Sequence, residues 1–219
     1  MVSKFVTAAA VTALAVASLA TAAPSALADS GTPTPAHQVL EAGLSFSGYD
    51  AAVAEANGYV IKTNTAGMQY SVKKDASPQE DTAAQQKAAA KWSKVSTRPS
   101  AYAEHNDACG KAYLDGNAIG NVSINIRTGF KLLSGDHAVF YYWKVDAVDG
   151  GGVTPKPFGP SSLAFRIAWE GNWTHGGLTR GSAYTTISPE SYVALADGSY
   201  CHPVPLTVYY DIYLGLSDK

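Results

Sequence analysis

Residues 138–148 read AVFYYWKVDAV, and the fold turns on how this stretch is read. Val139, Tyr141, Trp143, Val145 and Ala147 alternate with Ala138, Phe140, Tyr142, Lys144 and Asp146. A period of two sends successive side chains to opposite faces of a β-strand, whereas a helix repeats its apolar positions three and four apart. β-Branched and aromatic residues also suit a pleated, half-buried surface. The stretch predicts one central strand with two distinct faces. The only two cysteines, Cys109 and Cys201, stand far out on either side of it.

Shorter alternating runs surround it. Val122, Ile124 and Ile126 form one stripe; Leu163, Phe165, Ile167 and Trp169 form another; Leu206, Val208, Tyr210, Ile212 and Leu214 form a third. Weaker strands are read at 111–114, 183–187 and 192–195, which makes about seven. Gly150-Gly151-Gly152 and Asp197-Gly198 supply turns between them. The spacing predicts an antiparallel β-sandwich or flattened barrel over residues 101–219. An immunoglobulin pattern is excluded, because Trp143 lies 34 residues beyond Cys109 instead of soon after it.

The chain before residue 101 has a different texture. Lys4, the apolar alanine-rich run at 5–19 and Ala26-Leu27-Ala28 compose a secretory signal peptide over residues 1–28, with cleavage before Asp29. The run falls short of the ~20 strongly apolar residues that a membrane span needs, so an exported chain with no span after signal removal is expected. Secretion to the extracellular space follows. There the two cysteines most simply pair in one disulfide, worth roughly 4–5 kcal/mol in the chain-entropy model, with a reactive thiol pair as the alternative.

Residues 29–100 read as an N-terminal extension. Residues 29–47 form a Ser/Gly/Thr/Pro-rich leader with one helical turn near 39–42. Asp50 caps a helix at 51–56 that Gly58 stops. A hairpin joins 59–63 to 68–72 across the turn at 64–67. Ser77-Pro78-Gln79-Glu80 is a capping box with proline at the first helical position, opening an alanine-rich helix to about Ser93. That helix lacks a wide apolar stripe and reads as a solvated spacer, followed by a linker at 97–100.

Charge narrows the function classes. Of 16 Lys and Arg only Lys4 precedes Asp29, so the exported chain carries 15 against 18 Asp and Glu, a net charge of −3. No basic run is present, and no nucleic-acid partner is indicated. Nucleophile elbows, phosphate loops and zinc-protease motifs are absent from the sequence, and no cofactor is called for. Asp146 and Asp149 before the glycine triplet could serve a calcium loop, but a turn start explains them more simply. His137, His175 and His202, with Asp146, Glu170, Glu190 and Asp211, keep a secreted hydrolase open as an alternative. Asn121-Val122-Ser123 and Asn172-Trp173-Thr174 match glycosylation sequons, which carry no weight in a bacterial host.

The distinctive feature is aromatic. Ten tyrosines and three tryptophans fall between Ala101 and Lys219. Phe140, Tyr142, Tyr209 and Tyr213 take the strand faces opposite the aliphatic stripes, and Trp173 sits in a loop-like stretch, 172–177. Together these five are the candidate ligand-binding residues. Aromatic rings with a polar handle suit sugar rings or a cell-envelope polymer, so an exported, non-catalytic binding protein is the leading expectation. Burial of both faces inside a two-layer fold is the bland alternative. A secreted enzyme inhibitor acting through a loop at 150–160 is the third reading.

The stretch AGLSFSGYDAAVAEANGYVIKTNTAGMQYSV, with the later CGKAYLDG, RTGFKL and FYYWKVDAV, resembles small exported proteins of uncharacterised function from actinobacteria. The resemblance implies export and a disulfide-closed β-domain, and no activity.

Overall fold

The computed structural model describes residues 38–95, 107–119 and 122–212. Strand β1 (Gln38–Tyr49) leads into helix α1 (Ala51–Ala56), strands β2 (Tyr59–Thr63) and β3 (Gln69–Lys73), and helix α2 (Pro78–Ser93). Then come β4 (Gly110–Ile119), β5 (Ser123–Leu132), β6 (Ala138–Tyr142), β7 (Lys144–Asp149) and β8 (Gly152–Pro157). The described chain finishes with β9 (Ser161–Arg166), β10 (Ala168–Gly176), β11 (Gly181–Ile187), β12 (Tyr192–Leu195), β13 (Ser199–Pro203) and β14 (Thr207–Ile212). The signal peptide, the linker at 97–100 and Tyr213 lie outside the described residues.

Antiparallel pairing builds an eight-stranded sheet, β10-β5-β4-β1-β13-β12-β6-β9, and a four-stranded sheet, β14-β11-β7-β8. The protein is mainly β and sandwich-like. One core serves both sheets: Phe46, Leu114, Ile126, Phe130 and Val193 from the large one meet Val145, Ile187, Val208 and Ile212 from the small one. Each large side chain buried this way contributes about 1.5–3 kcal/mol.

The stretch at 138–148 is two strands instead of one. Strand β6 lies next to the edge of the large sheet, and β7 is an inner strand of the small one. The chain changes sheets at Trp143. Its side-chain alternation survives the corner, because Tyr141, Trp143, Val145 and Ala147 all remain buried. Both sheets line the same core, so a strand can pass from one to the other without turning its apolar face to water. The alternating run at 163–170 is likewise split. Phe165 adopts a φ of 48°, and Ile167 separates β9 from β10. β9 pairs with β6 while β10 pairs with β5, so the two edges of the large sheet are consecutive in the chain. Trp169 of β10 packs on Tyr141 of β6 at 4.6 Å, which brings those edges together.

Residues 38–47, expected as the end of a leader with a helical turn near 39–42, instead belong to β1, a strand inside the large sheet. β1 pairs with β4 on one side and β13 on the other. Leu44 and Phe46 are buried in the core, with Leu40 and Ala42 packed against it, so a period of two was present beneath the small-residue composition. The disulfide Cys109–Cys201 joins the residue just before β4 to β13, the two strands that flank β1, with 6.3 Å between Cα atoms and both cysteines fully buried.

Asp50 Oδ1 accepts the Val53 N–H at 3.0 Å and caps α1 as its sequence predicts. The Asn64 carboxamide oxygen accepts the Ala66 and Met68 N–H groups and shapes the β2–β3 turn. Ser77 and Glu80 complete the capping box of α2. However, α2 is no solvated spacer. Ala88 packs with Tyr70 and Val72 of the hairpin in a small core of its own. Trp92 meets Phe46 edge-on at 4.9 Å and donates its indole N–H to the Gln69 carbonyl.

The deeper attachment is ionic. Lys91, 4 % exposed, reaches Asp197 Oδ2 at 3.2 Å and donates to Ser199 Oγ at 2.9 Å; Asp136 Oδ2 stands 3.8 Å away. Lys87 bonds the other Asp136 oxygen at 2.5 Å. The helix was misread because its docking face uses alanines and lysines where an apolar stripe is the usual signal.

Candidate functional site

The outer face of β6, β12 and β13 gathers aromatic side chains. Register sets Tyr142 opposite Tyr192, and both Phe140 and Tyr200 opposite Ala194. The small Ala194 leaves room for the rings on either side to lean onto Tyr192. Phe140 stacks on Tyr192 with ring centres 6.0 Å apart, and Tyr192 stacks on Tyr200 at 5.0 Å. Tyr142 and His202 approach the same Tyr192 ring at 6.2 and 6.1 Å. Spacings of this kind are those of offset-stacked aromatic pairs. The result is a ladder of half-buried rings with Tyr192 as its hub.

Local structure holds the ladder in place. Cys201 is buried by its disulfide, so its neighbours Tyr200 and His202 must point outward. His202 Nδ1 lies 3.0 Å from the Ser191 carbonyl, which accepts only if that nitrogen carries the proton. Burial pushes the Tyr200 hydroxyl up from its ordinary value, and the neighbouring Tyr192 and Asp50 add to the shift. Tyr200 remains a neutral hydrogen-bonding phenol at physiological pH.

The five candidate aromatic residues do not share one surface. Phe140 and Tyr142 belong to the ladder. Tyr209 lies on the outer face of the small sheet, 65 % exposed, with Tyr184 at 5.8 Å. Trp173 is on β10 and not in a loop; it is register-paired with Ile126, packs against the core and stacks near His175 at 4.8 Å. Tyr213 is outside the described residues. Tyr192 and Tyr200 were missed, and His202 was read as a hydrolase base, although alternation around a buried Cys201 was a signal for the last two.

Two further concavities bear polar groups. A groove of about 360 Å³ on β4, β5 and β10 is lined by Asp115, Asn117, Asn125, Arg127, Asn172, Trp173 and Thr174. Arg127 pairs with Asp115 at 3.1 Å and with Glu170 at 3.9 Å, and Tyr113 donates to Glu170. A cavity of about 240 Å³ beneath α2 contains His137, Lys87, Asp136 and Asp197. Burial alone would raise the Asp197 carboxyl, yet Lys91 and the Ser199 donors hold it below its ordinary value. Desolvation opposes the Lys87 ammonium, but its bond to Asp136 keeps that pKa above the ordinary one.

The remaining hydrolase candidates are scattered. His137 is exposed beside Phe165, His175 is on β10 and His202 on β13. Asp146 and Glu190 both face Lys144, at 3.8 and 3.1 Å. Asp149 accepts the Gly151 and Thr179 N–H groups, and the Thr179 bond leads in drawing its carboxyl below the ordinary value. Among the described residues no cluster of three or more His, Cys, Asp or Glu is placed to hold a metal ion. Nor is any helix among them long and apolar enough to cross a membrane. The expected loop at 150–160 contains the exposed edge strand β8.

Fold and surface define a disulfide-closed antiparallel β-sandwich with an aromatic ladder on its larger sheet. Comparison with protein-family models, curated proteins and solved structures found no match.

Proposed function

We propose that this is an exported, non-catalytic binding protein whose ladder face engages a carbohydrate or cell-envelope polymer. The observation that carries the reading is the gathering of Phe140, Tyr142, Tyr192, Tyr200 and His202 around one ring on an outer sheet face. Such a surface offers ring edges, and ring faces at its ends, to the C–H groups of sugars and phenolic hydroxyls to their polar groups. Export rests on the signal-peptide pattern at residues 1–28 and fits a buried disulfide. A binding role is favoured over hydrolysis because, of the candidate acids, Asp146 and Glu190 both pair with Lys144 and Glu170 pairs with Arg127.

Pull-down on insoluble cell wall, chitin and cellulose tests the reading. The native protein should sediment with at least one of these, and a Tyr142→Ala/Tyr192→Ala/Tyr200→Ala variant that retains its near-ultraviolet dichroism should stay in solution. Equal retention of the two proteins would overturn the assignment. Export is checked separately by the N-terminal sequence of secreted material, which should begin at Asp29.

A further inference from the structure

The ladder lacks a rung. Its stacked rings, Phe140, Tyr192 and Tyr200, advance strand by strand across β6, β12 and β13. The next strand is β1, and the residue paired there with Tyr200 is Gly48. A Cβ on Gly48 would meet no atom of the described residues within 4 Å, and the φ of 141° is one that residues with side chains rarely adopt. A bulge between Phe46 and Gly48 sets Ser47 out of register at this point. The space is a hollow of about 280 Å³ lined by Ser47, Gly48, Tyr49, Asp50 and Tyr200. The hollow is shallow and open to solvent, which suits the edge-on approach of one residue of a longer chain.

We infer that one pyranose ring of a neutral or N-acetylated hexose chain binds over Gly48, against the ring of Tyr200. This names the ligand class for the ladder and rests on the binding reading above. Rings already stacked on one another turn their faces toward their neighbours, so the interior of the ladder has little face left for a sugar. Tyr200 is an end member, and on its Gly48 side no side chain of the described residues takes the next place. The polar rim suits hydroxyl recognition. Asp50 uses Oδ1 to cap α1, and a carboxylate has capacity for further donors. The Ser47 hydroxyl donates to the Tyr200 carbonyl at 3.1 Å and keeps its lone pairs for a donor. An acidic rim also disfavours anionic sugars.

The experiment is titration of the whole disulfide-bonded protein with cellotetraose and chitotetraose, followed by calorimetry and by NMR shifts of the Gly48 amide and the Tyr200 ring. Binding that shifts both signals, weakened roughly tenfold by Tyr200→Ala and by Asp50→Asn, is the expected result. Asn is as good a helix cap as Asp, so Asp50→Asn tests the contact with α1 intact. Tyr200→Phe, which keeps the ring, should retain most of the affinity, and Val153→Ser on the small sheet should not alter it. Binding that moves Phe140 and Tyr142 but leaves Gly48 and Tyr200 untouched would overturn the slot while sparing the wider reading. No binding to either oligosaccharide, with no retention on wall, chitin or cellulose, would overturn both.

Discussion

Trp143 donates its indole N–H to Thr128 Oγ1 at 2.9 Å, with both residues fully buried. Thr128 in turn donates its hydroxyl to the Tyr113 carbonyl at 3.1 Å. The bond ties the corner between β6 and β7 to β5, across the core that both sheets share. Thr128→Val keeps the side-chain shape and strands the indole N–H in an apolar interior. It should cost about 1–3 kcal/mol, read as a lower urea midpoint at unchanged slope. A midpoint equal to the parent's would show that the corner does not depend on this bond.

The ionic attachment of α2 makes a stronger prediction. Lys91→Met leaves Asp197 and Asp136 buried with reduced compensation, at a cost of about 3–5 kcal/mol. Hydrogen exchange should then rise first in α2 and the β2–β3 hairpin, which have a small core of their own. Uniform protection throughout the variant would refute a separable attachment.

Acid should weaken the same contact. The Asp197 carboxyl is held below its ordinary value in the folded chain, so the unfolded chain takes up that proton first as pH falls. The stability from this group is complete above the ordinary carboxylate range, ~4, and is lost as pH drops through the folded value. Urea melts from about pH 6 to about pH 2.5 should decline less steeply for Asp197→Asn than for the parent, and parallel curves would argue against the linkage.

Gly116 on β4 has no room for a side chain, because a Cβ there would collide with the Tyr210 hydroxyl. That hydroxyl is held 2.8 Å from Thr185 Oγ1 in the small sheet. Gly116→Ala should destabilise by about 1–3 kcal/mol through overpacking between the sheets, with partial recovery on adding Tyr210→Phe. Thermal unfolding of the single and double variants measures both effects.

Reduction of Cys109–Cys201 releases a loop of 92 residues and should cost roughly 4–5 kcal/mol in the chain-entropy model. The paired Cys109→Ala/Cys201→Ala variant, compared with the parent by denaturant melts, gives the number without a reductant. A loss below about 1 kcal/mol would show that β1 already holds β4 and β13 in place by itself.

Much of the local structure was legible in the sequence. Ser77 to Glu80 spelled the cap of α2, Asp50 the cap of α1, and residues 64–67 the hairpin turn, because each contact spans only a few residues. Alternation placed Tyr141, Trp143, Val145 and Ala147 inward and Phe140 and Tyr142 outward. The errors share a cause. Residues 38–49 were hidden by small residues, and Ser199–Pro203 by a histidine and a proline in a five-residue strand.

By itself, then, the sequence determined the β character, the two-faced strands, the helix caps and which cysteines could pair. Those properties follow from side-chain period and short-range hydrogen bonds, which a chain carries locally. Tertiary structure alone decided where 138–148 changes sheet, that β9 and β10 are opposite edges made consecutive, and that β1 lies between the disulfide-linked strands. It also decided that Phe140 and Tyr142 meet Tyr192 and Tyr200, while Trp173 and Tyr209 go elsewhere. Alternation tells a residue which face to take, but only strand order and register choose its neighbours on that face.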